Sequence, residues 1–181
     1  MNAPNPPLVE VAGLSVDFAT RNGTVHAVRD VSFTLPKGKT LGIVGESGSG
    51  KSVTSFTLMR ILDKAGMIAG GSISFSGIDI GAASEAQMRD IRGREMSMVF
   101  QNPRAALNPI RKVGHQIEDV LLHHVQATRQ TAKAKAIEVL RQVRINNPEE
   151  RYHAYPFELS GGMCQRIVIA LALACKPQLL I

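Results

Sequence analysis

Residues 40–52 constrain the fold of this chain most strongly, because they read Thr-Leu-Gly-Ile-Val-Gly-Glu-Ser-Gly-Ser-Gly-Lys-Ser. The apolar run 40–44, bounded by a Pro-Lys-Gly turn and by glycines, predicts a buried strand. Residues 45–52 fit the pattern G-x-x-x-x-G-K-[ST], and the residues that follow can continue as a helix. In that order, strand, loop and helix aim backbone N–H groups at a phosphate. The stretch therefore predicts a phosphate-binding loop; the alternative is a glycine turn that binds nothing.

Two side chains at the end of this loop have the chemistry that a bound triphosphate requires. Lys51 is expected to reach the β- and γ-phosphates, and Ser52 is expected to offer its hydroxyl to Mg²⁺. The candidate nucleotide contacts in the loop are Gly45, Glu46, Ser47, Gly48, Ser49, Gly50, Lys51, Ser52 and Val53.

A second anion site is predicted near residue 160. Ser160 is a natural N-cap for a long helix that runs to Ala174, and Gly161 and Gly162 leave the first N–H groups of that helix uncovered. One chain has no need of two phosphate cradles unless the second serves a nucleotide that a neighbouring copy holds.

Composition excludes several other classes of protein. The 181 residues are 44% hydrophobic and carry a net charge of +6, which is typical of a globular chain with a solvated basic surface. Two Tyr and no Trp leave few platforms for nucleic-acid bases, so nucleic acid is not expected as a partner. Neither a signal peptide nor a stretch of membrane-spanning length is visible, so we expect a soluble chain that docks if it works at a membrane.

The cysteines and histidines predict no metal site. Cys164 and Cys175 lie eleven residues apart in one predicted helix, too far for a disulfide, and we expect both to be reduced and buried. No zinc-binding spacing occurs. His115, His123 and His124 fall in or beside an amphipathic helix, where a solvated face explains them.

Hydrophobic periodicity predicts the remaining elements. Residues 1–7 are expected to form a loose tail, and 8–18 and 25–35 to form paired strands around a turn at 20–23. A strand at 72–75, a polar helix at 85–92 and an apolar run at 96–100 follow. Two prolines make 102–109 a loop, 113–144 reads as two amphipathic helices, and 151–158 is a loop. After the helix that ends at Ala174, residues 178–181 begin a buried strand.

With these motifs placed, the chain resembles the ATP-binding subunits of ABC transporters over nearly its whole length. Residues 45–52 match the Walker A loop, Gln101 matches the glutamine of the Q-loop, and 159–163 match the signature motif, with Met163 where Gln is usual. Gln165 and Arg166 after the signature also fit.

Smaller features are similar to the oligopeptide, dipeptide and nickel importer branch of that family. They are the exact loop 45–52, the sequences Gln-Asn-Pro at 101–103 and Leu-Asn-Pro at 107–109, and Tyr-Pro before a signature ending in Met. Arg144 stands where a Gly is expected, and 104–106 replaces a more polar stretch; these departures bear on the substrate, not on the family.

The resemblance implies an α/β fold: a P-loop NTPase core with a parallel sheet, an antiparallel β subdomain and an α-helical subdomain. Residues 1–100 would form the nucleotide-binding core with its antiparallel part, and 101–159 the Q-loop and helical subdomain. Residues 160–181 would form the signature helix and the start of the Walker B strand.

The resemblance also implies roles for single residues. Phe18 would stack on adenine, although packing in the core is an equally ordinary role for an aromatic residue on a strand. Gln101 would join the Mg²⁺ shell and sense the γ-phosphate, the alternative being a loop Gln without a role. Leu159, Ser160, Gly161, Gly162 and Met163 would close on ATP bound by a second subunit in a head-to-tail dimer.

The implied partners are a second ATP-binding subunit, transmembrane permease subunits that touch residues 102–144, and, indirectly, a solute-binding protein. The location would be the cytoplasmic side of the plasma (inner) membrane. The transported substrate is not readable here, because its selection belongs to the other subunits.

The family's Walker B Asp and Glu and its switch His would follow Ile181, so the resemblance implies a domain that is incomplete at its C-terminus. We therefore expect ATP binding without appreciable hydrolysis, since losing a positioned base costs roughly 10²–10⁴ in rate. A strand expected between residues 40–44 and the strand that reaches Ile181 would also be missing, which predicts instability. The alternatives are a non-hydrolytic nucleotide-binding or interaction module and a non-transport ABC ATPase, which the proline-bracketed loop disfavours.

Overall fold

The computed structural model describes residues 6–125 and 127–181, which fall into two compact units. The first unit ends at Met88 and the second begins at Arg89. Most of the loose tail predicted at 1–7 lies outside the described residues. Among the residues that are described, no helix is long and apolar enough to cross a membrane.

A four-stranded antiparallel sheet forms the main part of the first unit. Its strands are β1 (Val9–Thr20), β2 (Gly23–Leu35), β3 (Gly66–Phe75) and β4 (Ile78–Asp79), in the order β2-β1-β3-β4. Val9, Val11, Leu14 and Val16 on β1 are all 2% exposed or less. The predicted hairpin is confirmed, while β3 begins at Gly66 rather than at residue 72.

Helix α1 (Lys51–Leu58) follows the glycine-rich loop as predicted. The buried strand predicted at 40–44 is wrong. Residues 39–46 have no regular structure, and the side chains of Leu41, Ile43 and Val44 are 42%, 45% and 92% exposed. A strand needs a neighbour that pairs with its N–H and C=O groups, and no strand of the described residues lies beside this run.

In the second unit, the three longest helices share one buried cluster, and two short strands pair in parallel. The unit begins within α2 (Glu85–Ile91), and strands β5 (Met96–Ser97) and β6 (Leu179–Leu180) pair in parallel. The helices are α3 (Pro103–Ala106), α4 (Val113–His124), α5 (Arg129–Gln142), α6 (Pro148–Arg151) and α7 (Gly161–Leu173), with a 3₁₀ turn at Pro156–Glu158. Ile117, Leu140 and Ile167, from α4, α5 and α7, are fully buried in one cluster.

The predicted amphipathic pair at 113–144 is confirmed as α4 and α5, and the predicted helix through Ala174 is α7, with Ala174 as its C-cap. The predicted loop at 102–109 is partly wrong. Asn102 accepts a hydrogen bond from the Ala105 N–H at 3.3 Å, and Pro103 occupies the first turn, where a missing N–H costs nothing. The predicted loop at 151–158 likewise contains the end of α6 and the 3₁₀ turn.

The α/β class is confirmed, with an antiparallel sheet, a parallel strand pair and a helical region. Both cysteines are free thiols as predicted; Cys164 is buried, but Cys175 is only partly so.

Candidate functional site

The glycine-rich loop turns sharply into α1 through Gly50. Its φ of 87° is left-handed, and it is the N-cap of the helix. A Cβ at this position would lie 2.6 Å from the carbonyl oxygen of Ala27 and 3.2 Å from the Val28 Cγ2, both on β2. Because the conformation and the close approach both exclude a side chain, only glycine fits here.

Lys51 folds its ammonium group back into the loop. Its Nζ donates hydrogen bonds to the carbonyl oxygens of Gly45 at 2.7 Å and Glu46 at 2.5 Å, and to the Ser49 Oγ at 3.2 Å. A positive charge is thereby fixed against the backbone that curls around it. An anion that enters the loop meets this charge directly.

The first turn of α1 is anchored by Thr54, which the sequence did not single out. Its backbone N–H and its Oγ1 both donate to the Gly50 carbonyl oxygen, at 2.8 and 3.0 Å, and the side chain is 4% exposed. The N–H groups of the preceding helical residues have no intrahelical acceptor by geometry, so they are available to an anion. Ser52 is exposed in this turn and Val53 is half-buried.

The loop residues Glu46, Ser47, Gly48 and Ser49 are exposed, and a Cβ at Gly48 would meet no atom of the described residues within 4 Å. The loop is therefore open to solvent. An open cradle with a fixed cation and free N–H groups fits a polyphosphate.

Phe18 lies near the end of β1, opposite Val25 on β2 and Gly66 on β3. A Cβ at Gly66 would lie 2.7 Å from the Phe18 Cε1, so the ring packs closely on the backbone of β3. The side chain is half-buried. This contact favours the packing role, and stacking of Phe18 on a base stays a prediction.

Gln101 is exposed and follows β5 in the second unit. The Val99 N–H donates to the Ile181 carbonyl oxygen at 2.8 Å, which continues the parallel pairing beyond β5 and β6. Gln101 therefore lies at the carboxyl edge of a parallel strand pair, where α/β proteins commonly bind ligands. Ser52 belongs to the first unit, so a shared Mg²⁺ site of Ser52 and Gln101 stays a prediction.

The first turn of α7 is capped as predicted. The Ser160 Oγ accepts a hydrogen bond from the Met163 N–H at 3.3 Å. Gly161 and Gly162 are exposed, and a Cβ on either would meet no atom within 4 Å in the part of the chain that the structure describes. Leu159 is buried at 3% exposure and anchors the turn, while Met163 is half-buried.

The segment before Ser160 also supports the start of α4, a connection that sequence reasoning missed. The N–H groups of Val113 and Gly114 donate to the carbonyl oxygens of Ala154 and Tyr152, at 2.9 and 3.0 Å. These bonds join residues that are distant in sequence, and no local pattern marks them. The first turns of α4 and α7 are thus joined through a short segment.

The chain matches the family model described as "ABC transporter" over residues 28–181. It is 49% identical over 175 residues to the oligopeptide transport ATP-binding protein OppD of Bacillus subtilis (strain 168), covering 96% of this chain and 49% of that protein. It is 46% identical to the probable D,D-dipeptide transport ATP-binding protein DdpD of Escherichia coli (strain K12), covering 97% of this chain and 54% of that one. The chain thus spans about half the length of these curated relatives.

Solved structures show the same fold. A dimeric, post-hydrolysis structure of the ATP-binding cassette MJ0796 bound to ADP and Pi has a TM-score of 0.84 at 24% identity, covering 95% of this chain and 72% of that one. A second dimeric structure of MJ0796 has a TM-score of 0.83. The overall architecture is therefore that of an ATP-binding cassette.

Proposed function

Since this chain belongs to the ABC transporter family, we propose that it binds ATP and acts as the energy-coupling subunit of a peptide importer. Relatives at 46–49% identity that carry the names of peptide transport ATP-binding proteins support peptides over other cargo. The observation that carries the proposal is the open loop at 45–52, with the Lys51 ammonium held by three loop oxygens.

The loop residues fit a nucleotide triphosphate. The backbone N–H groups at the start of α1 would bind phosphate oxygens, and Lys51 would exchange its bonds to the loop for bonds to the β- and γ-phosphates. Ser52 would hold Mg²⁺, with Gln101 as a second ligand and Phe18 beside the base. Bound MgATP would supply the triphosphate that these residues hold, and binding alone, without hydrolysis, is what the proposal requires of them.

The exposed first turn of α7 supports a second role for this chain. Glycine is the poorest helix former after proline, and none of the residues that the structure describes crowds Gly161 or Gly162. Their cost to the helix is explained if another molecule must approach the backbone closely. We infer that residues 159–163 cover the ATP of a second subunit in a head-to-tail dimer.

Membrane partners would dock on the helical region of the second unit, at residues 102–144. Ile110 lies in this stretch and is 82% exposed, so its side chain is accessible to a partner. Contact with permease subunits there would place the chain at the cytoplasmic face of the plasma (inner) membrane, with a solute-binding protein acting indirectly.

Replacing Lys51 tests the nucleotide site. In an equilibrium titration with a fluorescent ATP analogue, we expect Lys51→Ala to lower affinity roughly 100-fold or more, because charge-assisted bonds to two phosphates are lost. Lys39→Ala removes an equal charge just before the loop and should leave affinity within about threefold. Unchanged affinity of the Lys51→Ala variant for the ATP analogue would mean that the nucleotide binds at another site.

Replacing Ser160 tests the dimer. We expect Ser160→Arg to retain ATP binding by the single copy and to prevent ATP-dependent dimerisation, as measured by sedimentation. Normal dimerisation of this variant would show that the first turn of α7 is not part of the dimer interface.

A further inference from the structure

The second unit contains a cavity of about 320 Å³ between α4, α5 and the end of α7, which the proposed nucleotide chemistry does not use. The apolar residues that line it include Val139, Leu173 and Cys175, and we call them its floor. The exposed charged residues that line it are Lys135, Glu138 and Lys176, and we call them its rim. The volume is at the lower end of the range for small-molecule sites, which begins near roughly 300 Å³.

The rim carries uncompensated positive charge. Glu138 is already paired, since its Oε2 accepts a hydrogen bond from Arg141 at 2.6 Å. Neither Lys135 nor Lys176 has an ion pair with any residue that the structure describes. The side of the cavity that faces water is therefore cationic.

The floor remains uncharged. Burial raises the pKa of the Cys175 thiol, whose Sγ lies 4.0 Å from the Val120 carbonyl oxygen, to which it donates. Leu173, the last residue of α7, is 40% exposed, and Val139 is only partly buried. Accessible apolar surface and two lysines therefore line the same cavity.

We propose that this cavity is a binding site for a small amphiphilic carboxylate, a medium-chain fatty acid or a ligand of that chemistry. The alkyl chain would cover Val139 and Leu173, while the carboxylate would lie between Lys135 and Lys176. An amine of equal length would place its charge against the same lysines, so the site discriminates by the sign of the headgroup.

The test is isothermal titration of the full chain with decanoate below its micelle concentration, compared with hexanoate and decylamine. Decanoate should bind at one saturable site, more tightly than hexanoate by roughly threefold to fourfold per added methylene until the cavity is filled. Decylamine should bind at least about tenfold more weakly than decanoate.

Three variants locate the site. The double variant Lys135→Gln with Lys176→Gln should lower decanoate affinity about tenfold, and Val139→Trp should abolish binding by filling the cavity. Lys133→Gln is the matched control on the same helix, because the Lys133 Nζ lies over the Tyr152 ring, 5.2 Å from its centroid. It should bind decanoate as the unchanged chain does.

Three results would overturn the proposal. They are the absence of saturable decanoate binding, equal affinity for the amine, and unchanged affinity in the folded double lysine variant. Absence of decanoate binding together with cosedimentation with anionic phosphatidylglycerol vesicles would assign the lysines to a membrane surface. The double variant alters only exposed side chains, so it keeps the test decisive even if Val139→Trp fails to fold.

Discussion

At the scale of single residues, Arg144 occupies a position that favours glycine. Its φ is 58°, and it follows the C-cap of α5. The Arg144 N–H donates to the Arg141 carbonyl oxygen at 2.9 Å, and the Ile145 N–H donates to that of Leu140 at 3.1 Å. This pair of bonds is the Schellman motif, whose left-handed residue is usually Gly. The sequence alone marked Arg144 as a departure, and the structure supplies the reason.

We predict that Arg144→Gly raises the free energy of unfolding by about 0.5–1 kcal/mol, because a non-glycine residue in the left-handed region is strained. Urea denaturation measures this. Arg144→Ala is the control, since it removes the side chain and retains the strain. An equal gain in both variants would mean that the side chain, not the backbone, is the source of the effect.

At Gly114 a glycine is required because there is no room for a side chain, and not because of the backbone conformation. A Cβ at Gly114 would overlap the ring of Tyr152, which is 2% exposed. Burial, with a hydrogen bond to Glu118, also raises the pKa of Tyr152, which further favours its neutral hydroxyl. The ring cannot move aside without losing this contact.

Gly114→Ala should lower the free energy of unfolding by about 1–3 kcal/mol, the range for an overpacked core. Gly162→Ala is a matched control, because Gly114 and Gly162 both hold the second position of a helix. Thermal unfolding measures the loss of stability in each of the two variants. A stable Gly114→Ala protein would contradict the close packing of Tyr152.

At the scale of elements, the first turn of α7 combines an open surface with a poor helix former. Gly162→Ala should leave stability unchanged or raise it by up to about 1 kcal/mol, since alanine favours helix. It should nevertheless weaken ATP-dependent dimerisation, because the added methyl group faces the proposed partner. Sedimentation with and without ATP measures this. Unimpaired dimerisation would mean that contact with a partner is not the reason for glycine at position 162.

The end of α4 predicts a pH dependence of stability. The ring of His124 packs on Gly93, where a Cβ would lie 2.6 Å from the His124 Nε2. Burial, His123 and Arg94 lower the pKa of His124, against an opposing effect of Asp90. The unfolded chain therefore takes up a proton before the folded one does as the pH falls.

The free energy of unfolding should accordingly decrease as pH is lowered below about 6.5, the ordinary pKa of histidine. His124→Gln should flatten this part of the profile. Urea midpoints measured between pH 7.5 and 5.5 provide the test, and a profile identical in the variant would assign the dependence to other groups.

Local pattern predicted helices α4 and α5 and the β1–β2 hairpin, whose apolar residues recur at regular spacing. It also predicted α7, whose start is marked by the Ser160 N-cap. The strand prediction at 40–44 failed because apolar residues indicate only burial. A strand also needs a neighbouring strand to pair with, and the hydrophobic pattern of a segment does not show whether that neighbour exists. The cap by Asn102 was missed because the two prolines suggested a loop.

At the scale of the whole molecule, the sequence predicted the local geometry of the loop and of the Ser160 cap better than it predicted the contacts that support them. The loop 45–52 and the Ser160 cap follow from spacing, since each is a contiguous motif. The approach of Ala27 to Gly50 and the bonds from α4 to Tyr152 and Ala154 join distant parts of the chain, so they required the structure.

The central claim is that each nucleotide is held by the loop of one copy and the α7 turn of another. The direct test is to mix Lys51→Ala with Ser160→Arg and to measure ATP-dependent dimerisation by sedimentation. A head-to-tail pair of these variants has one site with both changes and one intact site. We therefore predict that neither variant dimerises alone, while the mixture dimerises with one ATP per pair; a mixture that dimerises no more than the separate variants would contradict the account.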